Sequence, residues 1–332
     1  MKKFAFLAFL IFFAALMLSA CETESGKKDV SQKKISIVAT IYPQYDWLKN
    51  ILGERINDVD LRLLIKNGTD LHSYKSSAQD IAAIAGADMV VYVGGESDDW
   101  IKKALEATPK AGRVQVNLME ALGDRVKEEE IVEGMQAEEE HHEHAEEHHH
   151  EEEEAENDEH IWLSLVNAKI LVKSLAEALA KIDTANAETY KTNAAKFTAK
   201  LNELNGAYAA AVSEASNKTI LFGDRFPFRY MVDDYGIKYF AAFVGCSAES
   251  EASFETVTFL AGKMDSLQLP AIITIDGSNG KIARTILEAS KKSRNAQVLT
   301  LNSMQSVKEN LAGEDYLSIM KSNLEVLKKA LK

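Results

Sequence analysis

The chain has 332 residues, of which 46% are hydrophobic and 27% charged, and its formal net charge is -13 at pH 7. Residues 128–159 contain 17 acidic and no basic residues, which leaves 38 basic against 34 acidic residues elsewhere. The acidity is therefore local. No basic stripe with interleaved aromatic residues stands out, so the composition argues against a nucleic acid partner.

The amino terminus resembles an export signal. Two lysines precede an unbroken apolar run (4–18), which is shorter than the about 20 residues of a membrane-spanning helix. The run ends in the sequence LSAC, similar to a bacterial lipobox, in which cleavage precedes a cysteine that is then lipidated. We therefore predict a signal peptide over 1–20, lipidation of Cys21 and a polar tether over 21–33. The alternative is an ordinary signal peptide, with Cys21 free or paired with Cys246.

From residue 34 onward, short β-rich runs alternate with longer runs of helical periodicity. This order is typical of βα units around a mainly parallel sheet, so we predict an N-terminal α/β lobe over 34–185. Its predicted strands are ISIVATI (35–41), LRLLI (61–65), MVVYVG (89–94) and VQVNL (114–118).

An acidic, histidine-rich segment interrupts this lobe over about 128–157. It has no apolar periodicity and its like charges repel one another, so we predict a disordered insertion. Six of the eight histidines of the chain lie in it: His141, His142, His144, His148, His149 and His150. A metal bound there must order the backbone at about 1–2 kcal/mol per residue, so we expect a weak, multi-site metal collector. The alternative is a solvated acidic loop that binds metal incidentally.

Residues 186–216 predict one long helix, because apolar side chains recur at spacings of three and four residues and form one stripe: Tyr190, Ala194, Phe197, Leu201, Leu204 and Tyr208. Its length of about 45 Å is enough to cross the molecule. Three strands then follow, KTILFGD (218–224), AIITIDG (271–277) and VLTLNS (298–303), which predict a C-terminal lobe over 217–332. The fold class is therefore α/β, with two Rossmann-like lobes joined by one long rigid helix and a ligand cleft between them.

Two histidines outside the tract occupy positions suited to a built metal site. His72 lies between a predicted strand and a helix, where it faces the cleft, although a solvated loop histidine is the simpler interpretation of that residue alone. His160 lies where the acidic tract gives way to an apolar helix, so its backbone is fixed before any metal binds.

The motifs around these histidines resemble those of a known family. DLHSYKSSAQDIAAIAGADMVVYVGG and HIWLS are similar to the two histidine motifs of the zinc and manganese substrate-binding proteins of ABC transporters, the cluster A-I family. In that family a D-P-H-x-Y/F loop precedes a helix, and H-x-W-x-[DS] follows a variable, often histidine-rich, insertion. IVATIYPQYDWLKNILGE also resembles the family's first strand and helix. The resemblance covers Ile35 to Lys332 and implies that His72 and His160 are metal ligands.

The family's remaining ligands have less clear counterparts. The third is a histidine or an acid ahead of an aromatic run that ends in Tyr-Gly, and the nearest match is Asp224, with one extra residue in the run. Without that gap the position falls on Arg225, which cannot bind a cation. Asn302 matches the place of the fourth ligand, and Asp276 is an acid that either faces the cleft or forms a turn. Cys246 is expected as a small buried residue, with a ligand or redox role as the alternative.

The resemblance implies an exported, lipid-anchored solute-binding protein. It would lie on the outer face of the cytoplasmic membrane or the periplasmic side of an envelope membrane. Two imidazoles, one carboxylate and a water suit tetrahedral Zn²⁺, whereas Mn²⁺ prefers more oxygen ligands. We expect a monomer without enzymatic activity that binds a divalent metal ion, Zn²⁺ in the first place, and delivers it to an ABC permease and its ATPase.

Three alternatives stay open at this point. One is a manganese-binding member of the same family, and another is a surface adhesin or metal buffer. The third is a zinc-dependent hydrolase. The absence of H-E-x-x-H and G-x-S-x-G motifs from the sequence argues against it.

Overall fold

The computed structural model describes residues 34–136, 156–247, 251–306 and 313–332. The predicted signal peptide, the tether with Cys21 and the six histidines of the acidic tract lie outside the described residues. Among the helices of the described part, none is both long and apolar enough to cross a membrane.

The first lobe is built on a four-stranded parallel sheet with strand order β2-β1-β3-β4. Its strands are β1 (Ile35–Ala39), β2 (Val59–Leu63), β3 (Met89–Tyr92) and β4 (Val114–Asn117). Its helices are α1 (Tyr42–Leu52), α2 (Ala78–Gly86), α3 (Asp99–Ala107), α4 (Leu118–Leu122) and α5 (Leu165–Ile182). All four residues of β3 are buried, as expected for a strand inside a parallel sheet with both faces covered.

The second lobe repeats this architecture with strand order β6-β5-β7-β8, again parallel. Its strands are β5 (Thr219–Phe226), β6 (Lys238–Val244), β7 (Ala271–Ile275) and β8 (Gln297–Leu301). Its helices are α7 (Arg229–Tyr235), α8 (Phe254–Leu267), α9 (Lys281–Ala289) and α10 (Tyr316–Ala330). Strand β6 is not among the predicted strands. It follows a helix of only seven residues, and Gly236 in the left-handed conformation turns the chain between the two.

A helix of 28 residues, α6 (Ala187–Glu214), lies between the two lobes in the chain. Near its start, the Asn193 side chain donates a hydrogen bond of 3.0 Å to the Ile51 carbonyl at the end of α1. Near its end, the Tyr208 hydroxyl donates a bond of 2.6 Å to the Met320 carbonyl in α10. Its buried side chains are those of the predicted stripe with Val212 added: Tyr190, Ala194, Phe197, Leu201, Leu204, Tyr208 and Val212. One apolar cluster runs through both lobes and this helix, and Ile35–Lys332 forms a single compact unit.

The two ends of the predicted insertion are packed against the fold. Glu128 forms an antiparallel bridge with Asn157, which joins the two ends of this segment. Met135 is buried, and the Gln136 amide donates a 2.9 Å hydrogen bond to the Ala242 carbonyl in β6. Residues 128–136 and 156–157 are therefore part of the fold, because their apolar and backbone groups find partners in it, including β6 of the second lobe. This corrects the predicted limits of the insertion.

Candidate metal centre

His72 lies in a single helical turn, Leu71–Ser73, in the loop after β2. Leu71 is 1% exposed and anchors the turn in the core, while the Asp70 carboxylate accepts a 3.0 Å hydrogen bond from the His72 backbone amide. The Nδ1 atom of His72 lies 2.8 Å from the Ser97 hydroxyl oxygen. Since an imidazole that donates from Nδ1 keeps its lone pair on Nε2, this contact leaves Nε2 free to bind a metal.

His160 is completely buried at the start of a turn that leads into α5. One carboxylate oxygen of Asp158 accepts a 2.8 Å hydrogen bond from the His160 backbone amide and lies 2.9 Å from its Nδ1 atom. Two residues later, the Trp162 indole donates a 2.8 Å hydrogen bond to the Ser303 carbonyl. The ring of His160 is thereby fixed in orientation, with Nε2 as the nitrogen that faces the second histidine.

The Nε2 atoms of His72 and His160 are 3.1 Å apart. Two imidazole nitrogens bound to one tetrahedral zinc ion at 2.0–2.1 Å would be separated by about 3.3 Å. The pair is therefore already spaced for a shared metal ion. Burial, reinforced by the charge of the neighbouring His160, lowers the pKa of His72 to about 3. His72 is thus neutral at physiological pH, as a ligand must be.

The sulfur of Cys246 is a third possible ligand atom at this place. It follows β6, and its sulfur and one nitrogen of each histidine all lie within 4.8 Å of one another. Its backbone amide donates a 3.2 Å hydrogen bond to the Glu129 carboxylate. Burial, with a smaller contribution from the charge of Glu129, raises the pKa of the Cys246 thiol.

Gln305 completes the surroundings of the two nitrogens. Its side-chain amide nitrogen lies 2.8 Å from Nε2 of His72 and 2.5 Å from Nε2 of His160. The residue is 3% exposed, and its amide oxygen has no hydrogen-bond partner in the described parts of the chain. The two orientations of a glutamine amide group have nearly the same shape. Rotation of the Gln305 amide by half a turn would place its oxygen, a possible metal ligand, beside the two imidazoles.

Asp224 is not brought into this group of ligand atoms. Its two carboxylate oxygens accept hydrogen bonds from the backbone amides of Arg225, at 2.9 Å, and Ile275, at 3.4 Å. The register of β5 against β6 shifts between Phe222 and Arg225, so the irregularity of this strand lies at Asp224 itself, ahead of the aromatic run. Even so, the described residue that joins the two histidines in the group of possible ligands is Cys246.

Asn302 is likewise engaged elsewhere. Its amide oxygen accepts a 2.8 Å hydrogen bond from the Met304 backbone amide and so closes a turn, while Gln305, three residues on, reaches the histidines. Asp276 accepts two hydrogen bonds from Ser303, at 2.6 Å from the amide and 2.8 Å from the hydroxyl, and thereby fixes the same loop. The loop after β8 therefore reaches the site through a different residue from the one predicted.

Arg225 forms a salt bridge of 2.6 Å with Asp70, the residue that also caps the turn of His72. Burial alone would raise the pKa of the Asp70 carboxyl, but the hydrogen bond and charge of Arg225 outweigh it and hold the pKa below its usual value. Both residues, with Asp224 and Asp276, line an open cleft of about 350 Å³. The guanidinium therefore ties the second lobe to the loop that presents His72.

Comparison with known proteins identifies the family. A family model described as the periplasmic component A of the zinc-uptake complex matches residues 37–330. The chain belongs to this family. The fold and family expected from the sequence are thereby confirmed.

Individual relatives agree with this assignment. The chain is 32% identical over 330 residues to a zinc-binding lipoprotein AdcA of Streptococcus pneumoniae, covering 99% of this chain and 61% of that protein. It is 31% identical to the high-affinity zinc uptake system protein ZnuA of Bacillus subtilis, covering 97% of this chain and 96% of that protein. The chain thus spans about three fifths of the length of the AdcA relatives.

Solved structures show the same architecture. The Zn(II)-bound ZnuA-like domain of Streptococcus pneumoniae AdcA superposes with a TM-score of 0.68 at 28% identity, covering 90% of this chain and 99% of that domain. The metal-dependent lipoprotein YcdH of Bacillus subtilis gives a TM-score of 0.70 at 26% identity, with coverage of 90% and 99%.

Proposed function

We propose that this protein is the extracytoplasmic zinc-binding component of an ABC transporter for zinc uptake. It is exported, anchored through lipid on Cys21, and delivers Zn²⁺ to a membrane permease and its ATPase. Its activity is capture and release, without catalysis. The support comes from its family, from the zinc-binding relatives and from the geometry of His72 and His160.

The observation on which the proposal depends is the 3.1 Å separation of the two Nε2 atoms. Each ring is held through its other nitrogen, by Ser97 in one case and by Asp158 in the other. The two Nε2 lone pairs converge on one place, where the Gln305 amide nitrogen lies 2.8 Å from one and 2.5 Å from the other, and zinc is bound by such neutral imidazoles.

The test is a competition titration of the full chain against a zinc chelator, comparing wild type with His72→Ala and His160→Ala. Each variant loses a ligand, so we expect a loss of zinc affinity larger than the about 10- to 100-fold typical of losing an outer-shell partner. The control is removal of residues 137–155, which leaves the packed ends of the insertion in place. One tight site should survive that deletion.

In cells, deletion of the gene should prevent growth in chelated medium, and the wild-type gene but not His72→Ala should restore it. Equal zinc affinity in wild type and both histidine variants would refute the proposed site. Normal growth of the deletion strain would instead refute the transport role.

A further inference from the structure

The sulfur of Cys246 lies beside the two histidines, so the geometry favours the ligand role that the sequence offers only as an alternative for this thiol. The three candidate ligands come from three separate places in the chain, namely the loops after β2 and β6 and the segment before α5. Their ligand atoms all lie within 4.8 Å of one another. A lone thiol is usually only a small buried residue, but two imidazoles at this distance are a separate observation that favours metal binding.

The backbone next to Cys246 lies close to the ring of His160. A Cβ atom at Gly245 would lie 2.8 Å from Cε1 of His160 and 3.0 Å from the Phe226 carbonyl oxygen, so any larger residue there would have to displace one of them. Glycine at 245 therefore allows the backbone that presents Cys246 to approach the imidazole directly.

Hydrogen bonds hold this backbone from two sides. The Glu129 carboxylate accepts from the Cys246 amide at 3.2 Å, and the Arg225 guanidinium donates to the Ser247 carbonyl at 3.4 Å. Glu129 belongs to the first lobe and Arg225 to the second, so the position of the thiol is set by both lobes. Such support from outside the ligand set is what a built metal site requires.

We propose that Cys246 binds zinc as a thiolate, as the third ligand beside His72 and His160. This inference rests on the proposed function. On binding, the S–H bond breaks, its proton passes to solvent, and a Zn–S bond forms with no change of oxidation state. A coordinated thiol is deprotonated by the metal itself. The fourth position falls to the Gln305 amide oxygen or to water.

A Cys-His₂ site also determines which metal is retained. Thiolate is a soft ligand that favours Zn²⁺ and Cd²⁺, whereas Mn²⁺ prefers carboxylate, carbonyl and water oxygens. The thiolate further reduces the buried charge of the bound ion from +2 to +1, which two neutral imidazoles cannot do. Of the zinc and manganese alternatives that the sequence leaves open, the thiolate selects zinc.

X-ray absorption spectroscopy of the zinc-loaded full chain tests this proposal. The background variant is Cys21→Ser, which leaves Cys246 as the one thiol of the chain. We expect one sulfur scatterer at about 2.3 Å, in addition to nitrogen at about 2.0–2.1 Å. Because this measurement uses the native ligand set, it does not depend on whether a variant folds.

The second measurement compares Cys246→Ser with this background in metal titrations, after circular dichroism has established that the variant folds. We expect loss of the sulfur scatterer, zinc affinity at least about 10-fold weaker, and nearly unchanged manganese affinity, so that the zinc preference falls.

A shell of nitrogen and oxygen alone, with unchanged zinc affinity in Cys246→Ser, would overturn the role of Cys246. The proposed function would still stand if His72→Ala abolished tight binding in the same titrations. Failure of the background protein to bind zinc tightly would refute the proposed function itself.

Discussion

Asp98 is a completely buried carboxylate near the metal centre, and its protonation should govern how stability depends on pH. One of its oxygens accepts hydrogen bonds from the backbone amides of Val93, at 2.5 Å, and Gly94, at 3.3 Å. The other has no partner within the described residues. Burial, opposed by the bond from Val93 and reinforced by the charge of Glu159, raises the pKa of Asp98 to about 7.

The sign of the effect follows from proton binding. Between about pH 4 and 7 the folded protein keeps a proton on Asp98 that the unfolded chain has lost, so the free energy of unfolding falls as pH rises through this window. A pKa raised from 3.8 to about 7 corresponds to at most about 4 kcal/mol, at about 1.4 kcal/mol per pH unit. Asp98→Asn retains an oxygen that accepts the hydrogen bond from Val93, and its side chain cannot ionise. The fall in the free energy of unfolding between about pH 4 and 7 should therefore disappear in this variant.

The assay is urea denaturation of wild type and Asp98→Asn at intervals from pH 4 to pH 8. We expect the variant to be the more stable protein at pH 8, with a difference that shrinks toward pH 4. The matched control is Asp99→Asn, which changes the neighbouring, exposed carboxylate. Parallel pH profiles for wild type and Asp98→Asn would refute the assignment of this pH dependence to Asp98.

Three further predictions concern the support of the site and the long helix. Asp158→Asn weakens the hold on the His160 ring, so zinc affinity in chelator competition should fall about 10- to 100-fold, and an unchanged affinity would contradict this role. Gly245→Ala places a Cβ 2.8 Å from the His160 ring and should also weaken zinc binding, whereas the control Gly262→Ala, which meets no atom within 4 Å, should not. Equal zinc affinities of the two variants would exclude a close contact between the backbone at Gly245 and the His160 ring. Gly206→Ala in α6 meets no atom within 4 Å and should raise the free energy of unfolding in urea by about 0.5–1 kcal/mol, so a destabilised variant would show that the helix has other constraints there.

Long-range periodicity made the architecture predictable. The apolar stripe predicted from Tyr190 to Tyr208 is buried in α6, because one face of a helix must be apolar along its whole length to be buried. Strand β6 is not predicted even though KYFAAFV contains three aromatic residues, because the preceding helix α7 is too short to show helical periodicity. The sequence therefore predicts two lobes and the four strands of the first, but only three of the four strands of the second.

Some residues of the candidate site are predictable from the sequence and others are not. The positions of His72 and His160 could be predicted because each is embedded in a local motif. The loop after β8 was also predicted, but Asn302 closes a turn while Gln305 reaches the imidazoles, and side-chain direction within a turn is not encoded in spacing. Cys246 and the two histidines come from separate parts of the chain, and no spacing in the sequence shows that the fold brings them together.

The contacts around the site also indicate where it must open. The lobes are joined by the Trp162 indole on the Ser303 carbonyl and by the Tyr230 hydroxyl on the Asp158 carbonyl, both at 2.8 Å, and they share one apolar cluster. Rotation of whole lobes would break this cluster. The turn of His72, by contrast, contacts the second lobe through polar groups, namely the partly buried salt bridge from Asp70 to Arg225 and the Gln305 amide nitrogen 2.8 Å from Nε2 of His72. We therefore expect zinc to enter and leave by movement of that turn, while His160 stays fixed in the core.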